Sequence, residues 1–191
     1  DPNAVRNIAL KLDYDNVTKR NYPGYQSHLS FTNEQIERKF TEILNRKLYI
    51  NPEQMTFGKF RIMLKETASR LKVHVDGGPD WTALIYLNED KNADGGTGFF
   101  KHKKTGRVSL PSDFEAQELG YKNAGDFENK VIVPDSLNLE AWEMIDFVGM
   151  KFNRLVCFRG GQYFHAHTSS FGHDFISGRL TQNFFFWDDN Q

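Results

Sequence analysis

Residues 60–65 read Phe-Arg-Ile-Met-Leu-Lys, and residues 71–76 read Leu-Lys-Val-His-Val-Asp. In both stretches an apolar side chain occupies every second position, which is the period of a strand that buries one face. Further runs rich in β-branched and aromatic residues occur at 81–88, 154–158, 162–167 and 179–187. Such runs between turn-forming residues are typical of strands. The sequence therefore predicts a mainly β fold.

The N-terminal region shows a helical pattern instead. Asp1 can cap a helix that begins at Pro2, and apolar residues follow at helical spacing. Farther along, Thr32 and Gln35 have the spacing of a capping box, and a second apolar helix face follows them. We therefore expect residues 1–50 to form helical cladding on the outside of the sheet.

A segment within the strand pattern has a different character. Residues 111–150 contain helix-start signals, including Asn138, which can cap a helix over Leu139–Phe147. We interpret this segment as an insertion with helical pieces in a β-barrel core that spans residues 57–187. Helices followed by several short strands predict a closed or sandwiched antiparallel sheet with helical cladding. All of it fits one domain, residues 1–191.

Composition limits the classes of function. The 191 residues suffice for one core, and the net charge of −1 lacks the positive excess of nucleic-acid or polybasic membrane binders. No apolar run approaches the ~18–20 residues of a membrane span. The single cysteine, Cys157, excludes an intrachain disulfide. We therefore expect neither a membrane nor a nucleic-acid partner, and the oligomeric state stays open. Because the chain begins at Asp1 without an initiator methionine, we expect a trimmed N-terminus, and whether a targeting segment was removed stays open. No sequence feature points to another compartment, so we expect a cytoplasmic location.

The chemistry-bearing motif is the pair His74 and Asp76. Two residues apart on a strand, their side chains point to the same face. An imidazole and a carboxylate supply two ligands of the two-histidine, one-carboxylate site that is typical of non-haem Fe(II) oxygenases. The third ligand must come from a later histidine. His165 and His167 share one face of a predicted strand, and the period of two does not choose between them.

The other later histidines occupy less suitable places. His102 lies in the lysine-rich turn 101–107, where we expect it to be solvated. His173 lies in the Gly- and Ser-rich loop 169–178, which is more typical of a loop residue than of a ligand.

A candidate anion site follows in the last predicted strand. Arg179 and Thr181 share one face of it, and the planar guanidinium fork suits a carboxylate. Burying such a charge among apolar and aromatic neighbours is costly unless an anion pairs with it. That anion is either a bound ligand or an internal Asp or Glu, and the spacing alone does not decide.

Several runs occur in a fixed order along the chain. They are His74-Val-Asp76, Ala83-Leu-Ile-Tyr86-Leu-Asn88, Gly95-Gly96-Thr97-Gly98-Phe99, Asn153-Arg154-Leu-Val-Cys-Phe158, Phe164-His165-Ala166 and Gly178-Arg179-Leu-Thr181. As an ordered set they resemble the prolyl-hydroxylase-like branch of the 2-oxoglutarate/Fe(II)-dependent dioxygenases. The resemblance implies a double-stranded β-helix, that is, a jelly-roll or cupin-like barrel, with N-terminal helices.

The same resemblance implies a ligand set. In it, His74, Asp76 and His165 bind Fe(II). Arg179 follows His165 by 14 residues, a longer separation than is usual in that family. His167 therefore stays a competitor for the third ligand position.

The resemblance also implies a cosubstrate site. Arg179 would hold the distal carboxylate of 2-oxoglutarate, with Thr181 and Tyr86 beside it. The activity implied is hydroxylation of a C–H bond in an amino acid, peptide or small metabolite, with consumption of dioxygen and release of succinate and CO2. Asp76 favours hydroxylation, because related halogenases have a small residue in its place. Two alternatives stay open: a barrel metal oxygenase that does not use 2-oxoglutarate, and a non-catalytic ligand-binding or sensory barrel.

Overall fold

The computed structural model describes residues 1–18, 23–67 and 72–189, and in these residues the fold is mainly β. The strands are β1 (Tyr14–Asn16), β2 (Tyr25–Ser30), β3 (Leu48–Tyr49), β4 (Phe57–Met63), β5 (Trp81–Tyr86), β6 (Gly96–His102), β7 (Trp142–Gly149), β8 (Leu155–Phe158), β9 (His165–His167) and β10 (Arg179–Asp188). A large sheet has the order β1-β2-β4-β10-β5-β8, with β3 also paired to β10, and a small sheet has the order β7-β6-β9. Every pairing is antiparallel.

Two helices precede the main strands, as the sequence predicts: α1 (Pro2–Ala9) and α2 (Glu34–Leu44). The Asp1 carboxylate caps α1, which confirms the predicted start. The predicted cap of α2 is wrong by one residue, because Asn33 and not Thr32 supplies it. Asn33 is the extended residue directly before the helix, so its side chain reaches the free N–H groups of the first turn.

Both helices cover the outer face of the large sheet. Ala9 of α1 packs against Phe60 and Ile62 of β4. Phe40 of α2 packs against Phe184 of β10, with ring centroids 5.1 Å apart. Because side chains alternate along a strand, the neighbouring residues of β4 and β10 point to the opposite, inner face.

Short helices cover the outer face of the small sheet, in the region where the sequence predicts an insertion with helical pieces. They are α3 (Asp113–Glu118), α4 (Ala124–Phe127), the π-helical turn Glu128–Ile132, and the 3-10 turns Val133–Asp135 and Leu139–Ala141. Their apolar side chains pack on Phe100 of β6, on Phe164 directly before β9, and on Val73 and Val75. Because side chains alternate along an extended segment, the residues that flank these four face inward.

The helix predicted over Leu139–Phe147 is wrong. Asn138 does cap a turn, by accepting a hydrogen bond from the Glu140 N–H at 3.3 Å, but that turn ends at Ala141. The chain then continues as β7, which pairs with β6 along its whole length apart from one bulge. The ladder of interstrand hydrogen bonds outweighs the local helical spacing.

The inner faces of the two sheets contact each other across what we call the inter-sheet space. The Tyr86 hydroxyl of β5 forms a 2.7 Å hydrogen bond with Thr97 Oγ1 of β6, and the rings of Phe158 and Phe99 meet edge to face at 4.9 Å. The mainly β fold with helical cladding is confirmed. The predicted barrel closure is wrong, since no strand ladder joins the two sheets within the described residues. β9, an edge strand of the small sheet, is only three residues long, and the segment beside it contributes a single bridge from His74 to His165.

Candidate metal centre

The segment that carries His74 and Asp76 is held against β9. The strand predicted over residues 71–76 reduces to a single antiparallel bridge between His74 and His165, and Leu71 lies outside the described residues. The His74 N–H donates to the His165 carbonyl at 3.0 Å, and the reverse bond is 2.9 Å long. Since Val73 and Val75 are buried under the short helices, His74 and Asp76 point inward.

Three side chains converge at this bridge. His165 Nε2 lies 3.2 Å from Asp76 Oδ2, and His74 Nε2 lies 3.6 Å from Asp76 Oδ1. One ligand atom from each of the three residues lies within 4.8 Å of the other two, so the group could bind a metal ion. Two imidazoles and one carboxylate occupy one side of such an ion and leave its other side open for ligands.

The backbone sets the tautomer of both imidazoles. His74 Nδ1 lies 2.9 Å from the Lys72 carbonyl oxygen, and His165 Nδ1 lies 2.9 Å from the Tyr163 carbonyl oxygen. A carbonyl only accepts, so each neutral ring carries its proton on Nδ1 and has its lone pair on Nε2. Both Nε2 atoms face Asp76, which is the arrangement that a cation requires.

The electrostatics of the group favour an ionised carboxylate. Burial opposes the charge on Asp76, but hydrogen bonds and attraction from His165 and His74 outweigh it and hold the pKa of Asp76 well below its ordinary value. Burial likewise opposes protonation of His74, but the hydrogen bond and charge of Asp76 outweigh it and raise the pKa of His74. A divalent cation at this point would replace the proton as the partner of Asp76.

Two neighbours that sequence reasoning missed complete the surroundings of the carboxylate. The Thr82 hydroxyl of β5 donates to Asp76 Oδ2 at 2.5 Å. At Gly160, whose carbonyl accepts from the Asp76 N–H at 2.8 Å, a Cβ would overlap the Thr82 hydroxyl and lie 2.6 Å from Asp76 Oδ2. The Thr82 position alternates with apolar residues in the sequence, and that inward placement is the only signal that could have indicated it.

The remaining histidines lie elsewhere. His167 is outside the metal-binding group that the described residues form, so the group uses His165 as the resemblance implies. His173 is exposed near Glu66. The expectation that His102 is solvated is wrong, because its side chain is fully buried beside Trp142.

A buried cation lies farther along the inter-sheet space. Arg179 is 4% exposed, and its guanidinium carbon lies 5.6 Å from the centre of the Tyr86 ring. Within the described residues its side chain forms no salt bridge, and its Nε has no hydrogen-bond partner. An internal Asp or Glu, the competing interpretation of this arginine, is therefore not found there. A buried guanidinium without a counter-ion costs several kcal/mol, which favours a bound anion.

The two predicted neighbours of Arg179 line the same space. Thr181 is buried opposite Tyr86 in the β10–β5 pairing, and its Oγ1 accepts a hydrogen bond from Asn183 Nδ2 at 2.9 Å. The Thr181 hydroxyl proton therefore stays available to an acceptor in the inter-sheet space. Tyr86 is also buried, and its hydroxyl is already bonded to Thr97 across the space.

These observations define a mainly β protein with a His-Asp-His group that could bind a metal ion. The chain belongs to DUF6445, a family of unknown function that matches residues 1–186. A search of curated proteins finds no match. Within the described residues, no helix is long and apolar enough to span a membrane. Family membership assigns no activity, so the function must be argued from the site.

Proposed function

We propose that the protein is an Fe(II)- and 2-oxoglutarate-dependent dioxygenase that hydroxylates a C–H bond of an amino acid, a peptide or a small metabolite. The observation that carries the proposal is the pairing of two sites in one inter-sheet space. His74, Asp76 and His165 offer ligands for a cation, and Arg179 offers a buried charge for an anion. A 2-oxo diacid needs both, because one end chelates a metal and the other is a free carboxylate.

The donor set fits iron, and the choice of iron over catalytic zinc rests on the family resemblance. Structural zinc sites have four protein ligands, whereas this group has two imidazoles and one carboxylate. Catalytic zinc can use the same three ligands, but with open positions they are also the ligand set of non-haem Fe(II) oxygenases. When bound, iron and 2-oxoglutarate would supply the activation of dioxygen and the oxidation of the substrate.

The protein's own residues hold and orient these groups. The Lys72 and Tyr163 carbonyls keep the His74 and His165 rings in the tautomer that presents Nε2. Thr82 fixes the Asp76 carboxylate by donating to one of its oxygens. At the other end, Arg179 pairs with the distal carboxylate and the Thr181 hydroxyl donates to it. We also propose that the two facing sheets are an open form of the double-stranded β-helix.

Anaerobic titration with Fe(II) and 2-oxoglutarate tests the proposal. We expect a visible metal-to-ligand charge-transfer band that saturates with 2-oxoglutarate. Arg179→Ala should weaken the binding of 2-oxoglutarate at least about 100-fold, because it removes a bidentate charge-assisted contact. Arg38→Ala is the matched control, since Arg38 lies on α2 with a side chain that is 70% exposed. That variant should bind like the wild type.

Admission of air then tests turnover. We expect succinate formation and oxygen uptake that depend on 2-oxoglutarate even before the substrate is known. Oxidation of a substrate by the iron-loaded protein without 2-oxoglutarate would instead identify a metal oxygenase in which Arg179 holds a substrate carboxylate. Binding of iron and 2-oxoglutarate without oxygen uptake for any candidate substrate would identify a non-catalytic barrel.

A further inference from the structure

His167 lies on the same inward face of β9 as the metal-group residue His165. In the β9–β6 pairing it stands opposite Thr97, and Thr97 bonds to Tyr86 of the large sheet. His165, which belongs to the metal group, stands opposite Phe99, two pairs along the same ladder. Two residues along a strand correspond to about 6.6 Å between Cα atoms. His167 is therefore displaced from the metal group toward the end of the space that holds Arg179.

The His167 imidazole has unused hydrogen-bonding capacity. Within the described residues, no hydrogen bond to either of its ring nitrogens is present. The ring stands opposite Thr97, whose hydroxyl bonds to Tyr86, and the Tyr86 ring centre lies 5.6 Å from the guanidinium carbon of Arg179. In its neutral form the imidazole has one N–H donor and one acceptor nitrogen.

A partly buried N–H without a partner costs free energy, although less than an unpaired buried charge. Arg179 also lacks a partner, since its buried Nε has no acceptor among the described residues. One carboxylate would satisfy both groups, because it offers about four lone-pair sites on two oxygens. A neutral donor adds a hydrogen bond to that carboxylate without a second positive charge next to Arg179.

We propose that His167, together with Arg179, binds the distal carboxylate of the 2-oxo acid by donating its imidazole N–H to one carboxylate oxygen. This inference rests on the proposed function and extends it. It makes His167 a specificity-determining residue that selects diacids over 2-oxo acids that lack the second carboxylate. It also explains why the strand carries two inward histidines when the metal group uses only His165.

The test compares two ligands that differ only in the distal carboxylate. Anaerobic Fe(II) protein is titrated with 2-oxoglutarate and with 2-oxopentanoate, and the charge-transfer band reports the Kd of each. His167→Phe should weaken 2-oxoglutarate binding about tenfold or more, the effect of one hydrogen bond to a charged group. Its effect on 2-oxopentanoate should stay within about twofold, and His167→Gln, which keeps an N–H donor, should recover most of the loss.

Two controls separate this role from others. Co(II) titration without any 2-oxo acid should give the wild-type affinity for His167→Phe, since His167 is not a metal ligand. His173→Phe, at a histidine whose side chain is 79% exposed, should change neither 2-oxo acid affinity. If His167→Phe does not fold, His167→Met also removes the donor with an adaptable side chain and gives the same comparison.

Three results would overturn the inference. An unchanged Kd for 2-oxoglutarate in His167→Phe would show that His167 makes no such contact. An equal rise in the Kd of both 2-oxo acids would report general distortion of the space. Loss of Co(II) binding would identify His167 as a metal ligand. By contrast, a wild-type protein that binds Fe(II) but shows no band with either 2-oxo acid would refute the proposed function itself. The wild-type titration thus tests the proposed function, and the comparison with His167→Phe tests this inference separately.

Discussion

Two histidine–aspartate clusters lie in different regions of the molecule, and they differ in what their imidazoles are bonded to. In the first, under the short helices, His102 Nε2 lies 3.0 Å from Asp135 Oδ2 and His102 Nδ1 lies 3.1 Å from Thr105 Oγ1. The ring is fully buried and packs on Trp142 at a centroid distance of 4.8 Å. Both nitrogens have internal partners, so this histidine joins the end of β6 to the helical segment.

The second cluster is the metal group, where the bonding is one-sided. His74 and His165 each use Nδ1 on a backbone carbonyl two residues earlier and aim Nε2 at the shared carboxylate of Asp76. The His74 side chain is 39% exposed, so one side of the group opens to solvent. The difference teaches that an imidazole with both nitrogens satisfied is structural, whereas two that converge on one acid form a group that could bind a metal ion.

The largest expected effect concerns the two aspartates. Asp76→Ala should weaken Co(II) or Fe(II) binding about 1,000-fold, because each ligand contributes a share of the ~10–16 kcal/mol typical of a four-ligand site. Asp135→Ala should leave metal affinity within about threefold, because the Asp135 carboxylate bonds to His102 and lies outside the metal group. Metal titration of both variants checks this. Equal losses of metal affinity in the two variants would show that the two clusters do not differ in metal binding.

The next effect is on stability and concerns His102. His102→Ala should lower the free energy of unfolding by about 3 kcal/mol, because it leaves a cavity and an unpaired carboxylate. For a chain of this size that is roughly 6–12 °C in Tm. His173→Ala, at an exposed position, should change stability by less than about 0.5 kcal/mol. A His102→Ala variant as stable as the wild type would contradict the structural role.

The third effect concerns how the free energy of unfolding depends on pH, which differs in sign between the metal-free and the metal-bound protein. Because the pKa of His74 is raised on folding, its stabilising contribution is complete below about pH 6.5 and is lost as pH rises through the raised pKa. Because the pKa of Asp76 is lowered, its contribution is present above about pH 4 and is lost as pH falls through the lowered pKa.

Metal binding requires the neutral imidazole, so its stabilising effect must grow as the metal-free contribution of His74 fades. Between about pH 6 and pH 8, the difference in unfolding free energy with and without Co(II) should increase by up to about 1.4 kcal/mol per pH unit for each proton displaced. Paired thermal unfolding curves measure this. Asp76→Asn should remove the difference, and a constant gap in the wild type would show that no imidazole proton is displaced.

The smallest effect separates two threonines, one in each cluster. Thr82→Val should weaken metal binding about tenfold, because it removes the hydroxyl that orients the Asp76 carboxylate. Thr105→Val removes the equivalent contact to His102 and should leave metal affinity unchanged. Metal titration again decides, and an unaffected Thr82→Val variant would show that the carboxylate needs no such support.

Local spacing made part of the site predictable. On any extended segment residues two apart share a face, so His74 and Asp76 could be paired without knowledge of the fold. The same rule paired Arg179 with Thr181, and the strands that carry them lie where the alternation predicts. The helix predicted over Leu139–Phe147 is wrong because the ladder partners of β7, which begins at Trp142, come from β6, a distant segment of the chain.

Other features depended on contacts between distant segments. No spacing indicates that Thr82 reaches Asp76, that Gly160 must lack a side chain there, or that His102 is buried. The lysine neighbours of His102 suggest a solvated turn, whereas its own side chain points to the short helices and bonds to Asp135. Burial is a property of the assembled layers, which no local window contains.

The sequence by itself determined which side chains share a face, since the alternation of a strand follows from covalent geometry. It thereby indicated the acid and one imidazole of the metal group and the arginine that the structure buries. Only the tertiary structure decided that His165 and not His167 completes the group, because the register of the bridge sets His165 opposite His74. Only the packing of two sheets around Arg179 left its Nε without a hydrogen-bond partner among the described residues.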